Sequence, residues 1–251
     1  MFFYAFYGSK MCCEATLPKQ IQSFYKMTTP NPYEIDGGRA YHEAVNGGLT
    51  ARGYGLVAQR RAAKMQPFVQ KTDAVLEYGV GTGWNMARLQ ARLRKGFDVA
   101  TALRTQVEAQ GISFVTTLTE VDKAQYDVVI CSHVLEHLTH PADALSEILG
   151  LLKPNGKALI YVPYDVERKF WEYRANDPNH HLYGWNVQTL ANLCVLQGFT
   201  IEKAALRKFG YERFMAQLVC RWRLPDAVYT LLLAIALFLK PAHEVEVIVS
   251  K

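Results

Sequence analysis

Short apolar runs alternate with stretches of helical periodicity along the middle of the chain. The apolar runs predict strands at Ala74–Tyr78, Gly96–Val99, Ser113–Thr116, Tyr126–Cys131 and Lys157–Val162. The stretches between them predict helices at Trp84–Arg94, Thr101–Ala109 and Pro141–Leu152. This alternation is typical of right-handed strand–helix–strand crossovers, which build a parallel sheet covered on both faces. We therefore expect a doubly wound α/β domain.

The pattern changes on both sides of this core. Ahead of it, a loop rich in Gly, Pro and Asn precedes a predicted helix from Tyr54 to Val69. After Pro163, the chain is polar and aromatic and then predicts a helix at Val187–Gln197 and strands at Phe199–Phe209 and Glu244–Val249. These changes divide the chain into a possible tail at 1–30, an N-terminal helical lid at 31–72, and a domain at 73–251 with insertions at 164–186 and 210–242.

Composition agrees with one enzyme-sized domain. Half of the 251 residues are apolar, 20% are charged, and the net charge is +5. This apolar share can form a sizeable core and excludes a disordered, collagen-like or coiled-coil protein. The basic residues are scattered, so nucleic-acid binding is not indicated. Five cysteines without C-x-x-C or C…H spacing argue against a disulfide framework and a zinc site, and they predict a cytoplasmic protein with no metal centre.

The apolar run Ala227–Leu239 raises the question of a membrane. It is 13 residues long, whereas a helix needs roughly 18 to 20 to cross a bilayer. We expect a buried or interface helix. A weaker expectation is that 227–239 contacts a membrane surface or a second copy of the chain, with flanking basic residues as anchors.

The loop after the first predicted strand carries the clearest chemical signal. One residue separates Glu77 from Gly79, Gly79 from Gly81 and Gly81 from Gly83, and Trp84 follows directly. Glycines at this spacing let the backbone turn tightly and approach a ligand closely. Trp84 stands where a dinucleotide fingerprint needs its third glycine. The acidic residue ahead of the loop suits an amino-acid ammonium better than a pyrophosphate.

This loop resembles motif I of the class I S-adenosylmethionine-dependent methyltransferases. The resemblance implies that the loop cradles the methionine part of the cofactor and that Glu77 contacts its ammonium group. It also implies that Asp98, at the end of the second strand, accepts hydrogen bonds from the ribose hydroxyls. The third strand departs from the family, which often has an acidic residue near the adenine. Backbone groups near Thr117 and Leu118 are expected to take its place.

The fourth strand extends the resemblance. The segment Ser132-His133-Val-Leu-Glu136-His137-Leu is similar to the fourth-strand motif of the ubiquinone-biosynthesis-like O-methyltransferase branch, as is the turn Leu151–Gly156 to its LLKPGG sequence. Family resemblance implies a mostly parallel, seven-stranded sheet. Ser132 and His133 end a strand at the edge where open α/β sheets bind ligands. We expect them beside the cofactor, with pocket and structural roles both open for the Glu and His that follow.

A His-rich segment in the insertion at 164–186 points to the acceptor. His180 and His181 lie close to Tyr183 and Trp185, and adjacent imidazoles beside aromatic rings suit an apolar or sugar-like acceptor and proton withdrawal. The resembling branch has a similar segment over its acceptor pocket. The predicted catalytic bases are His133, His180 and His181. Weaker acceptor-side candidates in the lid are Tyr33, Tyr41 and His42.

Together these features predict transfer of a methyl group from S-adenosylmethionine to a small-molecule acceptor, with a hydroxyl oxygen favoured. A quinol-like compound, a sugar or another metabolite would suit. Two other classes stay open. One is a different reaction on the same fold, such as aminopropyl transfer. The other is a nicotinamide-dependent oxidoreductase, which Trp84 disfavours.

Overall fold

Seven strands form one sheet in the computed structural model, which describes residues 42, 48–164, 172–173 and 180–251. The strands are β1 (Ala74–Tyr78), β2 (Leu93–Phe97), β3 (Ser113–Val115), β4 (Tyr126–Ser132), β5 (Leu152–Pro163), β6 (Thr200–Lys208) and β7 (His243–Ser250). Their spatial order is β3-β2-β1-β4-β5-β7-β6. β7 runs antiparallel to both β5 and β6, and the other pairs are parallel. The predicted doubly wound, mostly parallel seven-stranded sheet is confirmed.

Helices cover the sheet. Those with described bounds are α1 (Ala51–Met65), α2 (Arg104–Glu108), α3 (Pro141–Leu151), α4 (Val187–Leu196), α5 (Glu212–Arg221) and α6 (Asp226–Leu239). The Thr50 hydroxyl starts α1 by accepting the Gly53 amide at 3.1 Å. Asn186 and Thr189 form a reciprocal capping box at the start of α4. Such caps satisfy amides that the first helical turn leaves unpaired.

The core lies on both faces of the central strands, because successive side chains of a strand point to opposite faces. On one face, Leu76 of β1 packs in a cluster with Leu145 of α3 and Leu190 of α4. On the other face, Val75 of β1 packs in a cluster with Met65 of α1. Burial on both faces explains why β1 reads as a continuous apolar run interrupted by one acidic residue.

The insertion at 210–242 forms two helices rather than the single one predicted. α5 and α6 pack with α1 in a third apolar cluster, where Leu233 and Leu237 of α6 are buried. The opposite side of α6 is open, since Phe238 is 80% exposed and Leu239 is 75% exposed. Within the described ranges, no helix is long and apolar enough to cross a membrane.

The helix predicted at Trp84–Arg94 is wrong. The chain makes successive turns there, and β2 begins already at Leu93. Arg94 is the physical reason. Its guanidinium donates to the carbonyls of Met86 at 2.9 Å and Ala87 at 3.2 Å, which a continuing helix would have bonded to its own amides. The loop thus connects β1 to β2 without a helix of its own.

Several predictions fall outside the described residues. They are the tail at 1–30, the lid candidates Tyr33 and Tyr41, and most of the insertion at 164–186. The division into tail, lid and domain stays a prediction.

Candidate active site

The glycine loop leaves the carboxyl end of β1 in a conformation that glycine favours. The φ angles of Gly79, Gly81 and Gly83 are +77°, +51° and +81°. At Gly79, an added Cβ would lie 2.3 Å from Cγ2 of Val134, far closer than van der Waals contact permits. The loop therefore lies directly against the turn after β4. Gly79 and Val134, 55 residues apart along the chain, thus bring two motifs into one site.

Glu77 occupies the end of this site with no exposed surface. The Asn85 side-chain amide donates to its Oε1 atom, whereas Oε2 has no hydrogen-bond partner among the described residues. Burial raises the pKa of Glu77 to about 8, and the Asn85 hydrogen bond offsets part of that effect. A buried carboxylate oxygen without a partner is costly. It fits the ammonium group of an amino-acid ligand.

Asp98, just after β2, holds the loop from the other side. Its Oδ2 atom accepts the Gly81 amide at 2.7 Å, and Oδ1 accepts the Ala100 amide at 2.9 Å. Each oxygen keeps a second lone pair, which can take a ribose hydroxyl. His42 also reaches this loop, with its Cε1 atom 3.5 Å from where a Gly81 Cβ would stand. Burial lowers the pKa of His42, against the opposing effect of the Asp98 carboxylate.

Thr117 and Leu118 follow β3 on the same edge of the sheet. The Thr117 hydroxyl hydrogen-bonds to Thr119 at 2.8 Å and to Glu120 at 2.9 Å, so it is used within its own turn. Leu118 packs against the core cluster that contains Leu76. Backbone contact of Thr117 and Leu118 with the adenine stays a prediction.

Ser132 and His133 end β4 next to the glycine loop. The Ser132 hydroxyl is buried and has no hydrogen-bond partner within the described part of the chain. His133 adopts a left-handed conformation, with φ +58°, that is uncommon for non-glycine residues. Its amide donates to the Tyr161 carbonyl at 2.8 Å. This bond holds the turn to β5.

The His133 imidazole, whose side chain is 23% exposed, contacts a buried ion pair. Its Nε2 atom lies 3.2 Å from Oε2 of Glu244, on β7. The Lys64 ammonium, on α1, donates to both oxygens of that carboxylate, at 3.0 Å and 3.1 Å. Glu244 has no exposed surface, and Lys64 is 7% exposed. The carboxylate therefore orients the imidazole while the ammonium balances its charge.

Burial and pairing have opposite effects on the pKa values of His133, Lys64 and Glu244. Burial lowers the pKa of His133, and the Glu244 hydrogen bond offsets part of that decrease. Burial also lowers the pKa of Lys64 against the attraction of Glu244. For Glu244, burial favours a raised pKa, but the contacts with His133 and Lys64 outweigh it and lower the pKa. The three groups together favour an ionised Glu244 beside an imidazole that can accept a proton.

Sequence reasoning missed Lys64 and Glu244. The signal for Glu244 was present, because two glutamates alternate with valines in β7, a strand between two others. Both glutamates are buried: Glu246 is paired with Lys203 and Arg207. For Lys64 no signal existed, since its helix is rich in basic residues and only tertiary packing distinguishes this one.

A second cluster lies beside the His133 turn. Glu136 has no exposed surface, and its Oε1 atom lies 3.7 Å from Nδ1 of His133 and 3.8 Å from Nε2 of His137. The His137 and His181 rings meet edge to face, with centroids 5.0 Å apart. Burial, reinforced by His181, lowers the pKa of His137 to about 4. Its imidazole is therefore neutral at neutral pH.

The two adjacent histidines predicted as bases take different places. His181 is half-buried against His137, whereas the His180 side chain is exposed. The segment is fixed by its backbone, because the Leu182 amide donates to the Glu136 carbonyl at 2.7 Å. Among the three predicted bases, His133 lies within hydrogen-bond distance of the buried carboxylate of Glu244.

A family model described as a methyltransferase domain matches residues 53–204, more than half of the chain. The chain belongs to this methyltransferase family. The enzyme depends on S-adenosylmethionine, and the glycine loop, the open oxygen of Glu77 and the lone pairs of Asp98 suit that cofactor. No curated protein matches the sequence.

Solved structures share the methyltransferase's fold at low sequence identity. A putative methyltransferase from Bacillus halodurans is 18% identical, with a TM-score of 0.55 over 77% of this chain and 99% of that one. A putative sarcosine dimethylglycine methyltransferase from Galdieria sulphuraria is 16% identical, with a TM-score of 0.57 over 87% and 98%. Phosphoethanolamine N-methyltransferase 2 from Haemonchus contortus, solved with S-adenosylhomocysteine, is 18% identical, with a TM-score of 0.55 over 86% and 57%.

Proposed function

We propose that this methyltransferase methylates a hydroxyl oxygen of a small-molecule acceptor, with His133 as the general base. The observation that carries the proposal is the hydrogen bond between the imidazole of His133 and the buried carboxylate of Glu244. An imidazole held by a carboxylate is oriented and made a better proton acceptor. A hydroxyl acceptor needs such a group, since its proton must leave as the oxygen is methylated.

Five residues would hold the cofactor. Glu77 would take the ammonium, the loop at Gly79 and Gly81 would pack closely against the amino-acid part, Asp98 would take the ribose hydroxyls, and Ser132 would donate to a cofactor oxygen. When bound, S-adenosylmethionine supplies an electrophilic methyl group. The turn at His133 touches the loop through the contact of Val134 with Gly79. That contact supports a base and an acceptor on the side of the loop that faces β4.

Positioning contributes more than the base. Holding an acceptor and a methyl group in line and without water can lower the barrier by about 7 to 11 kcal/mol. A positioned base adds about a hundredfold to ten-thousandfold. The left-handed turn at His133, tied to β5 by its amide, supports this role because a fixed backbone limits where the imidazole can point.

An amine acceptor is the second candidate. The fully buried carboxylate of Glu136, 3.7 Å from the His133 ring, favours it, because a buried anion can hold an aminium cation near the base. Among the similar structures, that from Haemonchus contortus is a phosphoethanolamine N-methyltransferase and that from Galdieria sulphuraria is a putative sarcosine dimethylglycine methyltransferase, both named for amines. The ubiquinone-like O-methyltransferase branch remains part of the first proposal.

The acceptor atom can be decided with isotope-labelled S-adenosylmethionine. The intact protein is incubated with a panel of catechols, quinols, sugars and primary to tertiary amines, and labelled products are identified by NMR. We expect a labelled methyl on oxygen for at least one hydroxyl compound. The matched control is His140→Ala, which removes an exposed imidazole outside the site. This variant should methylate like the wild type. Label found on nitrogen alone would overturn the first candidate and support the second.

A further inference from the structure

Three side chains next to the proposed acceptor site have the arrangement of a metal centre. Glu136, His137 and His181 each offer one ligand atom, and all three atoms lie within 4.8 Å of one another. The carboxylate is fully buried and both imidazoles are half-buried. Two ligands bound to one zinc ion at about 2.0 to 2.1 Å are about 3.3 Å apart at the tetrahedral angle. The separation of 3.8 Å between Glu136 Oε1 and His137 Nε2 needs a contraction of about half an ångström, and pairs as far apart as 4.8 Å need up to about 1.5 Å to reach this spacing.

The ligand types match a first-row divalent cation. Two imidazoles and one carboxylate form the set that zinc, manganese and iron(II) accept in catalytic sites, which keep open positions for water or substrate. Magnesium and calcium prefer oxygen ligands throughout. The donor set therefore favours a transition metal over either of these.

Backbone contacts already place the ligands. His181 comes from a segment 44 residues beyond His137 in the sequence, and that segment is docked by the hydrogen bond from the Leu182 amide to the Glu136 carbonyl, at 2.7 Å. His137 hydrogen-bonds to the backbone carbonyl of His180. Metal-ligating histidines commonly donate a ring N–H to a carbonyl or carboxylate, which fixes the ring orientation. These bonds hold the three side chains together from two separate segments.

We propose that Glu136, His137 and His181 bind one divalent transition-metal ion at the carboxyl end of β4. The sequence predicts no metal because its cysteines lack ligand spacing and the two imidazoles come from distant segments. The role of this ion in the reaction rests on the proposed hydroxyl acceptor. The ion would bind the acceptor oxygen and make its proton more acidic. The O–H bond then breaks with the proton moving to the His133 imidazole and the electron pair staying on oxygen.

Metal binding is tested separately from activity. The intact protein, stripped of metal, is titrated with zinc, manganese and cobalt(II) by calorimetry, and the visible spectrum of the cobalt form reports its coordination. We expect one ion per chain. His181→Ala and Glu136→Gln should each weaken binding at least about tenfold, as losses around metal sites do. His140→Ala, which removes an exposed imidazole outside the cluster, should leave metal binding unchanged.

Folding and function are checked in the same variants. S-adenosylmethionine titration of His181→Ala should give the wild-type affinity, which shows that the cofactor site has formed. If none of the three metals binds the wild type, or if His140→Ala weakens binding as much as His181→Ala, the metal site is refuted. If the metal binds but chelation leaves methylation unchanged, the site stands and the role of the ion in activating a hydroxyl acceptor is overturned.

Discussion

The Nε2 atom of His133 lies 3.2 Å from Oε2 of Glu244, a carboxylate with no exposed surface. His133 directly follows β4 and Glu244 lies at the start of β7, two strands that β5 separates in the sheet, and the residues are 111 positions apart in the sequence. This contact makes Glu244 a positioning residue, since it acts on the acceptor only through the imidazole.

Replacing Glu244 by Gln should slow methyl transfer while leaving cofactor binding intact. The amide keeps the shape but loses the charge that stabilises a protonated His133, so we expect kcat to fall about a hundredfold. A shift of the acidic limb of the pH–rate profile should accompany the loss, because the imidazole pKa changes with its partner. Steady-state rates across pH and cofactor titration measure both effects.

Glu246→Gln is the matched control for that experiment. Glu246 is equally buried on the same strand, but it pairs with Lys203 and Arg207 rather than with His133. Its kcat and pH profile should stay close to the wild type. Equal losses in both variants would mean that a buried carboxylate in β7 supports the fold and does not position the base. Because the Glu244 variant leaves Lys64 without its partner, at a cost of about 3 to 5 kcal/mol, Lys64→Met with Glu244→Gln keeps the test valid if the single variant unfolds.

Cofactor affinity should rise with pH through the titration of Glu77. Burial raises the pKa of this carboxyl to about 8 in the free protein, whereas a bound ammonium favours the ionised form. Below pH 8, binding therefore requires a proton to leave, and affinity increases as pH rises towards 8. Calorimetry in buffers with different ionisation enthalpies measures that proton. Glu77→Gln should bind weakly at every pH, and a pH-independent wild-type affinity would contradict the assignment.

The same carboxyl should make the free protein less stable as pH rises from about 4.5 to about 8. Over this range Glu77 is protonated when folded and ionised when unfolded, so the unfolded state binds fewer protons and stability falls with pH. Each unit of the pKa difference is worth about 1.4 kcal/mol. Glu77→Gln should remove this contribution and melt at a higher temperature than the wild type at pH 8. Identical pH dependences of the two melting temperatures would refute it.

Gly79→Ala should disrupt the site more than Gly81→Ala. Both positions have positive φ, but the added methyl group at Gly79 would lie 2.3 Å from Val134, whereas the one at Gly81 would meet His42 at 3.5 Å. We expect a loss of stability of about 1 kcal/mol from strain at Gly81 and about 2 to 4 kcal/mol from strain with overpacking at Gly79. Thermal unfolding compares them. A larger loss at Gly81 would contradict the close contact between loop and turn.

The outer side of α6 is the surface on which we expect contact with a membrane or with a second copy of the chain. Phe238 and Leu239 are largely exposed on a helix whose other side is buried. Phe238→Glu should reduce pelleting with anionic lipid vesicles or shift a dimer to monomer, and Phe214→Glu on α5, also exposed, serves as the control. A wild type that neither pellets nor self-associates in light scattering would end this prediction.

Regular elements of the sheet were predictable from sequence because burial on two faces leaves continuous apolar runs, as in β1 and β4. The turns at Trp84–Arg94 were not, since the Arg94 guanidinium satisfies carbonyls in a way that periodicity does not encode. Local motifs located Glu77, Asp98 and His133 individually. The partnership of His133 with Glu244 and Lys64, and the meeting of His137 with His181, depend on tertiary contacts between distant segments.

A crystal structure with S-adenosylhomocysteine is the most direct test of the central claim that the glycine loop and the His133 turn form one methyl-transfer site. We predict the ligand ammonium on Oε2 of Glu77, the ribose hydroxyls on Asp98 and the sulfur facing His133, whose contact with Glu244 persists. A sulfur directed away from the β4 turn, with no acceptor-sized space between it and the imidazole, would contradict the account.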